Sequence, residues 1–156
     1  LASAGIFLMI GLTYKRFKTV QISALGGIAS KAPKFTFFFA FFALSIAGLP
    51  GTGGFVAELL IIIGAFKANF WIGVLTATTM LSAMMYIFWM LQRTLFGTAN
   101  NDTVYEDLSN REILLLLPLV ILLLATGIAP SLFTPLFEPQ LNAALGDVLT
   151  AIGGLK

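Results

Sequence analysis

Residues 48–58 read Gly48-Leu49-Pro50-Gly51-Thr52-Gly53-Gly54-Phe55-Val56-Ala57-Glu58, in the middle of the longest apolar stretch of the chain, Phe35 to Phe66. Lys34 and Lys67 bound that stretch, and Glu58 is its only charged residue. As one helix it would be roughly 48 Å long at about 1.5 Å per residue, too long for a hydrocarbon core of about 30 Å even when tilted. Pro50 removes a backbone donor and clashes with the preceding turn, and Gly51, Gly53 and Gly54 make helix costly there. The pattern predicts two half-helices, about 35–48 and 55–66, joined by an unwound segment near 49–54 inside the bilayer. Unwound backbone at that depth persists only where it is buried in protein or lines a polar cavity. A plain proline kink in an ordinary span is the alternative.

The rest of the composition agrees with a membrane setting. Of 156 residues, 58% are hydrophobic and 10% charged, against about 25% charged in soluble domains, and the mean hydropathy is +0.97. The net charge of +2 is too small to argue for nucleic acid as a partner. With no Cys there is no disulfide framework, thiolate metal site or iron–sulfur cluster, and with no His the commonest metal ligand and general base are both missing. Redox or metal chemistry on these side chains is therefore not expected. The expected fold is an all-α integral membrane bundle of about four transmembrane segments, one of them discontinuous, with a short C-terminal amphipathic helix.

Leu1 to Tyr14 carries no charge and is followed by Lys15, Arg16 and Lys18. Fourteen helical residues span only about 21 Å, and a signal peptide would place the basic cluster first. We expect the end of a longer span here, and residues 1–156 to form one membrane domain at the C-terminal end of a larger protein. A third span runs over about 70–92, with Trp71 and Trp89 placed as interface anchors. On it, Thr78, Ser82 and Tyr86 share a face, either bonding to a neighbouring helix or lining a hydrated path. Ser109 and Glu112 form a capping-box pattern that opens a last span over about 110–128, bent at Pro118 and stopped near Pro130. Leu141, Leu145, Val148, Leu149 and Ile152 then follow helical spacing, as in a helix lying on the membrane surface. Lys15, Arg16, Lys18, Lys31, Lys34, Arg93 and Arg111 fall on one side of such a bundle, and only Lys67 and Lys156 on the other. The positive-inside rule makes loops 15–34 and 93–112 cytoplasmic and the C-terminus external.

Glu58 stands nine residues before Lys67, about 13 Å along a helix and so near the midplane. A charge there costs at least about 2.5–3.5 kcal/mol, and such residues usually mark ion or proton pathways. Four residues after Gly54, it is expected in the first turn of the second half-helix, where free N–H groups favour a carboxylate. Burial favours the neutral acid, whereas that terminus or a buried Lys from another segment favours the anion. Glu58 is thus a candidate proton relay, with a structural N-terminal cap as the alternative. Broken helices with an ionisable group at the break recur in transporters.

The block from Gly48 to Glu58 resembles the discontinuous-helix motif of the antiporter-like subunits of respiratory complex I. The Glu makes it similar to the subunit M (chain 4) branch. Ala2-Ser3-Ala4-Gly5-Ile6-Phe7, Tyr14-Lys15-Arg16, Gln92-Arg93-Thr94-Leu95-Phe96-Gly97 and Asp107-Leu108-Ser109-Asn110-Arg111-Glu112-Ile113 extend the resemblance over nearly the whole chain. Ala57 is a small departure, since many members have Gly there. The resemblance implies a membrane subunit of a proton-pumping NADH:quinone oxidoreductase in a bacterial inner membrane. It places Glu58 on the proton path; in our own reading of the residues, Pro50, Gly51, Gly53 and Gly54 keep the break open and a water path possible. It further implies no cofactor in this chain, because NADH, flavin, iron–sulfur clusters and quinone belong to other subunits. The implied partners are other membrane subunits, lipid, protons and channel water, and the central lysines and an earlier glutamate would lie on helices upstream. Homologous subunits of cation/proton antiporters or membrane-bound hydrogenases, an unrelated permease, and a purely scaffolding segment are the competing readings. Glu at 58 and the 107–113 block favour the respiratory complex.

Overall fold

The computed structural model describes residues 1–22, 25–97, 106–133, 135 and 139–140, and every regular element among them is helical. The helices are α1 (Ala2–Phe17), α2 (Ile28–Lys31), α3 (Pro33–Ile46), α4 (Gly53–Ala68), α5 (Phe70–Leu95) and α6 (Asn110–Ile128), followed by a 3-10 turn at Pro130–Leu132. α1 packs on α3, and α4 packs between α5 and α6. α5 and α6 are long and apolar enough to cross a membrane. Their outer faces carry exposed Trp71, Met85, Leu114 and Leu115, an apolar surface that suits lipid or a neighbouring protein. The expected surface helix around 141–152 lies outside the described residues.

Two boundaries differ from the charge-based expectation. α1 continues past Tyr14 through Lys15 and Arg16, because cations are favoured in a last helical turn. Lys18 ends it in the left-handed region at φ 55°, its N–H donating to the Tyr14 carbonyl at 2.9 Å. α5 likewise carries Arg93 within its last turn and runs on to Leu95.

The core is built on α3. Phe35, Phe38, Phe39 and Phe42 are buried against Met9 of α1 and Leu116 and Leu123 of α6. Phe42 is fully buried and lies so close to Gly5 that a methyl there would overlap its ring. This glycine lets the α1 backbone reach the aromatic row.

The start of α3 is capped from a distance. Pro33 takes the first turn, and Ala32 offers no capping side chain. Asp107 substitutes, accepting from the Phe35 N–H at 2.9 Å and the Lys34 N–H at 3.3 Å, and also from the Leu108 N–H at 2.8 Å. Burial alone would raise its pKa, but these three N–H groups and the Lys34 charge hold the carboxyl below the usual carboxylate range. Beside it, the largely covered Arg16 guanidinium donates to the Glu106 carbonyl at 3.0 Å, the Asp107 carbonyl at 3.3 Å and the Glu112 carboxylate. Glu112 closes the expected capping box on Ser109, accepting from the Ser109 N–H at 2.9 Å. α1, α3 and α6 are therefore tied together at one end of the bundle.

Candidate functional site

The helix is interrupted at residues 47–52. α3 stops because Gly48 turns left-handed at φ 80°, which lets the Leu49 N–H donate to the Leu44 carbonyl at 2.9 Å, the six-residue closure of a Schellman motif. The chain then reverses through Leu49-Pro50-Gly51-Thr52. Here the Thr52 N–H donates to the Leu49 carbonyl at 3.1 Å, with Pro50 and Gly51 (φ 91°) in the central positions of a type II turn. Thr52 is fully buried, and its hydroxyl donates to the same carbonyl at 2.8 Å. α4 then starts at Gly53. The half-helices each begin and the first ends two residues earlier than expected, because the positive-φ Gly48, not Pro50, sets the stop.

Glu58 is not in the first turn of α4, as expected from the sequence, but is its sixth residue. Too far along to cap, it sits half-buried with its carboxylate folded back across the break, in the notch left by the missing side chain of Gly48. A methyl on Gly48 would overlap Oε2 of Glu58. Among the described residues no group donates a hydrogen bond to that carboxylate. The carboxylate thus meets the end of α3, where helix carbonyls run out of intrahelical partners, so backbone polar groups and an ionisable group cluster inside an otherwise apolar stretch. Such a cluster can hold water and exchange a proton with it.

Three further groups close the break. A methyl on Gly54 would lie 2.6 Å from the Ser45 carbonyl oxygen, and one on Gly53 would lie 2.5 Å from the Thr126 hydroxyl oxygen. One on Gly127 would overlap the Gly51 and Thr52 backbone. Ser45, Gly48, Thr126 and Gly127 were not legible as site residues. Only the glycine two positions before Pro50 gave a local hint.

The Thr78, Ser82 and Tyr86 stripe is elsewhere. Among the described residues, its hydroxyls have no hydrogen bond to another helix. Thr78 and Ser82 donate to the carbonyls of Val74 at 2.8 Å and Thr78 at 2.9 Å in their own helix, and all three line a shallow exposed depression. Among the described residues there is no group of three or more His, Cys, Asp or Glu able to hold a metal ion.

A family model described as "NADH:quinone oxidoreductase/Mrp antiporter, TM" matches residues 1–85, more than half the chain and including the whole break and Glu58. The chain belongs to this family. Among the relatives of this NADH:quinone oxidoreductase/Mrp antiporter segment is NADH-quinone oxidoreductase subunit M of Rhodobacter capsulatus, 33% identical over 97% of this chain and 31% of that protein. NADH-ubiquinone oxidoreductase chain 4 of Marchantia polymorpha is 36% identical over 85% of this chain and 27% of that protein. A chain in the structure of respiratory complex I from Thermus thermophilus with bound NADH superposes with a TM-score of 0.78 at 30% identity, over 85% of this chain and 28% of that one. The family member described here thus spans about a third of the length of the curated relatives it matches.

Proposed function

We propose that this chain is part of a proton-translocating, subunit M-type membrane subunit of an NADH:quinone oxidoreductase, and that Glu58 lies on its proton path. One observation carries the reading: a lone carboxylate seated on Gly48 where an apolar helix is broken. Its proton is exchanged with water held at the break, and a charged group on another segment of the subunit biases whether it rests ionised. Pro50, Gly51, Gly53 and Gly54 keep that water accessible. Electron transfer, NADH, flavin, iron–sulfur clusters and quinone are assigned to other subunits, so the chain takes part in catalysis only within the complex. The setting is a bacterial inner membrane crossed about four times. Loops 15–34 and 93–112 face the cytoplasm, the C-terminus the periplasm, and a surface helix follows the last span. The family description also covers Mrp antiporters, but the subunit M relatives favour the respiratory complex.

The test is NADH-driven proton pumping by inverted membrane vesicles carrying Glu58→Gln in the full-length subunit. We expect fewer protons per electron from an assembled complex whose uncoupled quinone reduction persists. Unchanged pumping per electron would leave Glu58 as structural.

A second prediction isolates the carboxylate's seat. Gly48→Ala forces a side chain into positive φ at a cost of about 1–2 kcal/mol and displaces Glu58, whereas Gly51→Ala incurs similar strain with open space around it. Pumping per electron is expected to fall more in Gly48→Ala than in Gly51→Ala. Equal losses would show that strain, not displacement of Glu58, sets the effect.

A further inference from the structure

We infer that the end of α6, through Thr126 and Gly127, is a positioning element for Glu58, acting by contact with the first residue of α4. The inference rests on Glu58 being on the proton path. Gly127 lies inside α6, where it brings that helix's backbone against Gly51 and Thr52. One residue earlier, Thr126 stands over Gly53, leaving a methyl there only 2.5 Å from its hydroxyl oxygen and 3.0 Å from its Cβ. That hydroxyl donates to the Leu122 and Leu123 carbonyls, both at 3.0 Å, so Thr126 meets Gly53 as fixed bulk and not as a bonding partner. Opposite, the Ser45 carbonyl of α3 lies against Gly54. The start of α4 is thus gripped between α3 and α6.

Glu58 follows Gly53 by five residues, about 7.5 Å along one rigid helix. Its carboxylate meets Gly48, which belongs to the α3 side of the break. Pushing Gly53 away from Thr126 therefore moves Glu58 relative to its own seat, although the Thr126 hydroxyl bonds within α6 and not to the carboxylate. Misplacing a reacting group by about 1 Å can cost up to about 100-fold in rate.

The test exchanges size across this contact in the full-length subunit of the assembled complex. Gly53 has helical backbone, so Gly53→Ala adds a methyl without the positive-φ strain of Gly48 or Gly51. We expect Gly53→Ala to lower protons pumped per electron several-fold and to shift the pH profile of pumping. Gly53→Ala with Thr126→Ala should restore both towards the Thr126→Ala reference. A shifted pH profile in an assembled complex is a readout that loss of stability alone would not produce. If Gly53→Ala does not assemble, recovery of assembly, pumping and pH profile in the double variant supports the inference. Wild-type pumping and pH profile in assembled Gly53→Ala, or failure of the double variant to recover them, overturns it. Glu58→Gln run alongside separates the two claims. If it leaves pumping intact, the proton-path reading itself fails, whereas lost pumping there with wild-type Gly53→Ala removes only the positioning role.

Discussion

Arg16→Ala is expected to destabilise the subunit by about 3 kcal/mol, since removing one partner of a covered ion pair costs about 3–5 kcal/mol and this pair is not fully buried. The Arg16 and Glu112 side chains keep only 10% and 14% of their surface exposed. The guanidinium also fills the acceptors of Glu106 and Asp107 and lies 5.9 Å from the centre of the Phe35 ring. Alanine would leave Glu112 with Lys15, 3.8 Å away and largely exposed, as its remaining cation. It would also loosen the loop that supplies the Asp107 cap to α3. The thermal unfolding midpoint of the detergent-extracted full-length protein should fall clearly. Arg16→Lys should recover only part, because a compact ammonium on a flexible stem lacks the wide planar fork that reaches the Glu106 and Asp107 carbonyls and the Glu112 carboxylate together. A midpoint unchanged in Arg16→Ala would mean that the loop is held by something else.

Phe42→Ala should have an effect of similar size by a different route. Phe→Ala in protein cores costs about 3–5 kcal/mol, part of it transfer from water and part the cavity left behind. In a bundle surrounded by lipid the transfer part shrinks, because the outside is as apolar as the inside, so about 3 kcal/mol is expected. Phe42 has no exposed surface and fills the gap opposite Gly5. The same thermal measurement should therefore show a loss that Gly5→Ala/Phe42→Leu, moving bulk from the ring to the facing helix, partly avoids. No loss in Phe42→Ala would mean that α1 and α3 can close the cavity.

What the sequence revealed was whatever depends on near neighbours. The interruption between α3 and α4 was legible because Pro50, fixed in φ, stands among Gly48, Gly51, Gly53 and Gly54 in one short run. The Ser109–Glu112 box was legible because both its bonds join residues three apart. The family was legible from the same local blocks. The Asp107 cap and the Arg16 clasp join residues more than 70 positions apart, and no local pattern announces such a contact. Topology could have suggested them, since loops 15–34 and 93–112 were expected on one side of the membrane with opposite charges facing. Gly127 was overlooked because the stop of the last span was read from Pro130, and only the neighbouring backbone shows that this glycine permits close approach.

The break itself is a corner and not a hinge. Each of its two turns is closed by the chain's own backbone, Leu49 to Leu44 and Thr52 to Leu49, and the residues between are held by proline and by helices on either side. Two backbone closures so close together restrict how far the two half-helices can swing about the break. The lighter moving part at the break is the side chain of one glutamate, turning about its own torsions. Such a part can hop in picoseconds to nanoseconds, while bending the helices would belong to microseconds or longer.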